Sequence, residues 1–325
     1  MIRKFFILVC LALLAAGAWL AWALWLPVTP PATKFVLLRP GWSSRHIANQ
    51  LQQQGVIRNA RAFLLLHYVT VHSLKAGEYK FDQPASGRDV LDRLIKGDIY
   101  VHTVVIPEGF NLYDIANAIE QAGLGSRAEF VKIANDPAPV KDIDPDATSL
   151  EGYLFPDTYL FTRTQSVRDM VTEMLKRFRH QAQQVGLTTD YHRVVTMASI
   201  VEKETAAAEE RPLVASVYYN RLADRMPLAA DPSVIYAALA AGRYTGAIHQ
   251  SDLAFDSPYN TYRYAGLPPG PISNPGKSSL EAALHPATSD YLYFVSDDNG
   301  HHRFAHTLDE HNRNVAAYRR SVEDR

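Results

Sequence analysis

The residues best suited to chemistry lie in Ala198-Ser199-Ile200-Val201-Glu202-Lys203-Glu204-Thr205. The segment belongs to a predicted helix running from about Tyr191 to Ala208, at about 100° per residue. On that wheel Glu202 shares a face with Val194, Val195, Ala198 and Val201. Lys203 and Glu204 fall on the flanks or far side, and Ile200 lies off the covered face. A carboxylate set among apolar side chains is desolvated, which raises its pKa toward what a general acid needs near neutral pH. The same pattern also describes a buried glutamate paired with Arg211 or another cation. The wheel alone leaves both readings open.

Other candidates are weaker. Tyr259–Tyr264 and Gly266–Ile272 are rich in aromatics, proline and amides. They suit stacking on sugar rings and bonding acetamido groups, and equally a proline-stiffened surface loop. Glu151, within the aromatic segment Leu150–Tyr159, is read as orienting a substrate or tuning Glu202, or else as bonding nearby backbone. His301, His302, His306 and His311 invite a metal reading. His302 and His306 would stand about 13 Å apart on one strand face, too far for a single ion. They are read as structural hydrogen-bonding groups, and neither metal nor cofactor is expected. The single cysteine excludes a disulfide framework and any multi-cysteine metal site.

These groups must be carried by about two domains, on a chain of 325 residues with 47% apolar and 21% charged residues. That composition is globular, and a net charge of −1 provides no general field for nucleic acid. The charge is unevenly spread. Residues 27–100 carry ten Lys/Arg against five Asp/Glu, and residues 101–162 carry three against ten. The basic excess follows the one membrane-like segment, Phe5–Leu26, which is uncharged and long enough to cross about 30 Å of hydrocarbon. Arg3 and Lys4 precede it and favour a cytoplasmic N-terminus. Ala16-Gly17-Ala18 matches a signal-peptide cleavage site, but the apolar run continues eight residues beyond it. An uncleaved single-pass anchor is therefore expected.

Two later segments match at a shift of 68 residues, with Gly41/Gly109, Ile47/Ile115, Ala48/Ala116, Asn49/Asn117, Gln53/Gln121 and Gly55/Gly123 identical. Each reads as a strand, a glycine turn and an amphipathic helix closed by glycine. Further on, Ser166–Val185 is amphipathic, and Thr188, Thr189 and Asp190 offer caps for the Glu202 helix. Asp231-Pro232 reads as a cap followed by proline, and Ser278…Glu281 and Thr307…Glu310 match capping boxes. Asn299-Gly300 signals a hairpin between Tyr291–Val295 and His302–His306. The class is α+β: a transmembrane helix, small paired α+β modules, then a mainly helical domain with a C-terminal β-hairpin.

Ala198–Thr205 closely resembles the catalytic motif of the endolytic murein transglycosylases, the MltG/YceG family. The resemblance continues through Leu150–Tyr159, Asp231–Tyr236, Tyr259–Tyr262, Gly266–Ile272, Asn274-Pro275-Gly276, Leu284-His285-Pro286 and His311-Asn312, in the family's order. It implies non-hydrolytic cleavage of the MurNAc-β-1,4-GlcNAc bond in nascent peptidoglycan strands, leaving 1,6-anhydroMurNAc ends and terminating elongation. Glu202 matches the single catalytic glutamate. Substrate-binding candidates are Glu151, Tyr153, Ser199, Glu204, Asp231, Asn260, Thr261 and Tyr262. The expected organisation is a tail at 1–4, the anchor at 5–26, LysM-like modules at 33–148 and a catalytic domain at 149–325. Expected partners are glycan strands, the membrane and peptidoglycan synthases of the elongation or division machinery, with no nucleic acid. The expected location is the inner membrane, with the catalytic part outside the cytoplasm. The competing functions are a non-enzymatic wall-binding scaffold and a metal-dependent hydrolase using the C-terminal histidines.

Overall fold

The computed structural model describes residues 2–297 and 299–323. It opens with α1 (Ile2–Trp25), a helix apolar and long enough to span a bilayer. Two compact units follow: residues up to 103 with 160–166, and residues 104–159 with 167 onward.

In the first unit the chain forms β1 (Lys34–Leu38), α2 (Ser44–Gln53), α3 (Ala60–Thr70), β2 (Gly77–Phe81) and α4 (Gly87–Lys96). β1 and β2 pair antiparallel, with Lys34 opposite Phe81 and Leu38 opposite Gly77. Side chains alternate across a strand, so Val36 and Leu38 enter the core while Phe35 faces out. Ile47 and Leu51 supply the apolar stripe of α2 and meet Phe63, Tyr79 and Leu94 there. The end of α1 joins this unit, where Ala23 and Leu24 pack against Ala62 of α3.

The second unit repeats the scheme with β3 (His102–Ile106), α5 (Leu112–Gln121), α6 (Arg127–Ala134), β4 (Asp157–Phe161) and α7 (Val167–Gln184). β3 pairs with β4, and the boundary between units runs through both strands. The shift of 68 residues seen in sequence holds at both ends of β1/β3 and of α2/α5. It holds for the helix caps Ser43 and Asn111 too. Gly41 and Gly109 occupy the same left-handed turn, at φ 83° and 78°. By packing, the second copy lies with the downstream helices.

The helical part comprises α8 (Tyr191–Glu204), α9 (Arg211–Ala223), α10 (Asp231–Ala240), α11 (Gln250–Leu253) and α12 (Lys277–Leu284). It ends in a hairpin of β5 (Tyr293–Ser296) and β6 (His302–Ala305), then α13 (Leu308–Glu323). Asp298 lies outside the described residues. α8 is central: α9, α10 and α12 pack on it, and Val194 through Val201 are all buried. Ile200 is therefore in the core, and the one-sided wheel understates the covering of this helix. Three cap expectations change. Asp190 precedes α8 in a left-handed conformation without a side-chain cap. Asp231 is the first residue of α10 behind the cap position of Ala230, and α12 starts one residue before Ser278, behind Gly276. Thr307 does accept a hydrogen bond from the Glu310 N–H, at 3.3 Å.

Candidate active site

Glu202 sits in the last turn of α8 with its side chain only 5% exposed. Arg211 Nη2 donates to its Oε1 at 3.0 Å, and the Gly276 N–H donates to Oε2 at 2.9 Å. Both features that the wheel allowed are present, the apolar surround and the pairing with Arg211. The apolar surround comes from α8, and the polar contacts come from two other helix starts. Arg211 opens α9, and Gly276 is the residue capping α12, where free N–H groups favour an anion.

A second carboxylate completes the cluster. Glu108 lies in the turn after β3, with its Oε2 3.6 Å from Arg211 Nη1 and its side chain 49% exposed. Burial raises the Glu108 pKa, and the neighbouring charge of Glu202 raises it further, while Arg211 opposes both. Gly276 makes room for this carboxylate: a Cβ there would lie 1.9 Å from Glu108 Oε1. Lys203 Nζ donates to the Gly109 carbonyl at 3.2 Å, tying the same turn to α8. One guanidinium thus serves a buried and a half-exposed carboxylate. Its buried Nε has no hydrogen-bond partner among the described residues.

The scaffold behind the cluster converges on Asn274. Its Nδ2 donates to the Phe110 carbonyl and to Glu151 Oε1, both at 2.9 Å. Its Oδ1 accepts from the Leu154 N–H at 2.8 Å, and its backbone exchanges hydrogen bonds with Gly109 and Phe110. Gly276, two residues on, is thereby fixed against Glu202. The family model described as YceG-like matches residues 36–317.

The chain belongs to the YceG-like family. A Bacillus subtilis relative named endolytic murein transglycosylase is 35% identical, covering 86% of this chain and 82% of its own length. One of the same name from Streptococcus pneumoniae is 31% identical over 96% of this chain, which spans 64% of that longer protein. A crystal structure of a YceG-like protein from Listeria monocytogenes is 37% identical and superposes with a TM-score of 0.56. The match covers 86% of this chain and 98% of that one.

Within this YceG-like chain the remaining candidates divide by burial. Glu151 is interior: both oxygens accept from the Leu112 N–H, at 3.1 and 3.0 Å, at the start of α5. Burial pushes its pKa up to about 8. Tyr153, also buried, donates its hydroxyl to Asp144. Ser199 accepts from the Ile272 N–H at 3.0 Å and donates to Thr196 O, so it locks the Gly266–Ile272 segment onto α8. Asn260 and Thr261 are buried braces. The first donates to Leu253 O and Phe255 O, and the second accepts from the Ala230 N–H. Glu204 leaves α8 away from Glu202 and accepts from the Tyr218 hydroxyl at 2.6 Å, with burial raising its pKa to about 7. Asp231 accepts from the Tyr262 hydroxyl at 2.6 Å on the exposed side of α10. Among the histidines, His302 bonds Glu210 at 2.7 Å, His306 bonds Asp290 at 2.9 Å, and His311 stacks on Tyr293.

Sequence reasoning missed Glu108 and the bracing role of Asn274. A signal for Glu108 existed in the repeat: at the matching place of the first copy, Arg39-Pro40-Gly41, the residue is proline.

Proposed function

We propose that this protein is an endolytic murein transglycosylase that cleaves the MurNAc-β-1,4-GlcNAc bond without water and leaves 1,6-anhydroMurNAc ends. The observation that carries this reading is the Glu202 carboxylate, withdrawn from solvent at the end of α8 and gripped by Arg211 and Gly276. In the proposed reaction Glu202, protonated, gives its proton to the glycosidic oxygen, and the C1–O bond breaks. The C6 hydroxyl of the same MurNAc then attacks C1, and its proton returns to the Glu202 carboxylate. The donor and the nucleophile's base act in turn, so one residue suffices. The intramolecular nucleophile replaces the water for which an inverting glycosidase needs a second carboxylate.

Held at 3.0 Å, Arg211 stabilises the carboxylate left after proton donation. Glu108 offers the same guanidinium an alternative carboxylate at 3.6 Å. We assign Glu108 and Arg211 as positioning residues that exchange partners as the Glu202 proton leaves and returns. On the same reading Phe5–Leu26 anchors the chain in the inner membrane with the site outside the cytoplasm. The strand–helix units serve as LysM-like holds on the glycan beside the synthases.

The test is mass spectrometry of products from glycan strands incubated with the full-length protein in detergent. Ends carrying 1,6-anhydroMurNAc are expected. Hydrated reducing ends would make the protein a hydrolase, and bound but unaltered strands would make it a scaffold.

A further inference from the structure

The face of α3 turned away from the protein core has no occupant among the described residues. Ala60, Ala62, Phe63 and His67 are buried, whereas Leu65 is 53%, Tyr68 62%, Val69 72% and Val71 85% exposed. Val71 ends the helix in the left-handed region, at φ 53°, where glycine or asparagine is usual. An unpartnered apolar stripe of this kind marks an interaction surface.

What covers it follows from the neighbouring helix. α1 carries Arg3 and Lys4 at its start, and about 20 residues beyond them fill a hydrocarbon layer of about 30 Å. Leu24 therefore lies at the far boundary, and Leu20 lies about 6 Å inside it, at 1.5 Å per residue. The cluster of Ala23, Leu24 and Ala62 joins the two helices at this boundary, and Leu20 of α1 and Leu66 of α3 both pack on it. Leu20 is one turn back along α1 and Leu66 one turn forward along α3, an arrangement that suits a helix running back toward the bilayer as it goes to Val71. Arg58, just before α3, lies over the Trp22 ring at 5.1 Å, which fixes this start at the depth where indoles favour the interface.

Charge agrees with this depth. Between residues 27 and 77 the chain carries Lys34, Arg39, Arg45, Arg58, Arg61 and Lys75 and no acidic residue. Arg45 and Arg61 line a groove of about 430 Å³ between α2 and α3, with Leu64, Leu65 and Tyr68 as its apolar wall. A guanidinium pair above an apolar wall matches an anionic headgroup with its acyl chain below.

We propose that the Leu65–Val71 face of α3 lies in the interface of the bilayer that α1 crosses, with Arg45 and Arg61 on anionic headgroups. The unit is then seated on the membrane at two places, and its tilt is fixed as well as its tether. This rests on reading α1 as a membrane-spanning helix.

The test uses the full-length chain with Cys10→Ser and one new cysteine, Val71→Cys or, as control, Gln53→Cys on exposed α2. Each is labelled with an environment-sensitive fluorophore and reconstituted in vesicles of phosphatidylethanolamine and phosphatidylglycerol. The label at position 71 should be blue-shifted and quenched several-fold more strongly by shallow spin-labelled lipid than the control. Exchanging phosphatidylglycerol for phosphatidylcholine should weaken that quenching. Flotation of the same samples reports on α1 separately. Failure to float refutes the spanning helix, and the inference falls with it. Flotation with an unquenched label at position 71 refutes the inference alone. So does a blue shift that follows the protein-to-lipid ratio without quenching, which would mean that a second copy covers the face.

Discussion

Glu202→Gln separates chemistry from stability, and the geometry assigns each loss a different size. Glutamine matches the side chain in volume, but it has one oxygen where Glu202 uses two: Oε1 accepts from Arg211, and Oε2 from Gly276. Whichever way the amide turns, its NH2 group faces one of these donors. A buried donor left unsatisfied costs about 1–3 kcal/mol. Removing one partner of a fully buried ion pair costs about 3–5 kcal/mol. The lower range applies, because Arg211 keeps a second carboxylate, Glu108, at 3.6 Å. A destabilisation of about 1–3 kcal/mol should lower the melting temperature by about 2–4 °C per kcal/mol in a domain of 150–250 residues. Activity should fall by at least the roughly 10²–10⁴-fold that removal of a general acid–base group causes.

Glu108→Gln alone should hardly change stability, since a half-exposed ion pair contributes little. The double variant leaves Arg211 buried with neither carboxylate, so its loss should exceed the sum of the single losses by about 0.5–3 kcal/mol. Thermal unfolding of the four proteins and release of anhydro ends from denuded glycan form the assay. Glu202→Gln protein that melts within the expected range and still releases anhydro ends at near the wild-type rate would refute the catalytic assignment. Additive stability losses would refute the shared arginine.

Gly276→Ala keeps an ordinary backbone conformation, at φ −75°, but its Cβ would sit 1.9 Å from Glu108 Oε1. It should lower the melting temperature, and Glu108→Ala in the same chain should restore part of that loss; no rescue would show that the clash lies elsewhere. Stability should decline as pH rises from about 5 to about 7, because the raised Glu204 carboxyl holds its proton in the folded state over a range where the unfolded chain has lost it. Glu204→Gln should flatten urea-midpoint profiles over that window, and an unchanged slope would contradict the assignment. A chain starting at residue 27 loses Ala23 and Leu24 from their contact with Ala62, so limited proteolysis should cut α3 faster than in the full-length protein. Equal cutting rates would mean that α1 adds nothing to the first unit.

The strand–helix repeat was legible because it depends on local signals. Glycines at positions 41 and 109 enforce a left-handed turn, and caps at 43 and 111 start helices of equal length. Glu202 was legible for the same reason, as a carboxylate at a helical position among apolar neighbours. Its partners were only partly so. Arg211 lies nine residues away and could be named, but nothing local says that a guanidinium crosses to a carboxylate about a hundred residues upstream. The buried polar candidates are harder to read. Glu151, Tyr153, Ser199, Asn260 and Thr261 sit in motifs rich in polar atoms, and the fold uses those atoms inside as braces. In sequence, a side chain that bonds substrate and one that bonds backbone have the same appearance.

The segment Asn274-Pro275-Gly276 shows why motif and role came apart. Asn274 bonds Leu154 across 120 residues and Phe110 across 164, and Gly276 bonds Glu202 across 74. Each contact closes a long loop, and the entropic cost of closure grows only slowly with length, so one well-made junction can hold distant segments together. Its value depends on all the segments arriving: an unmet amide at Asn274 or carboxylate at Glu151 is a buried polar group without a partner. The Glu202 environment is therefore a product of the whole second unit rather than of α8. A substitution at Asn274, although it touches none of the reacting groups, acts on the same carboxylate through Gly276 and the Glu108 turn.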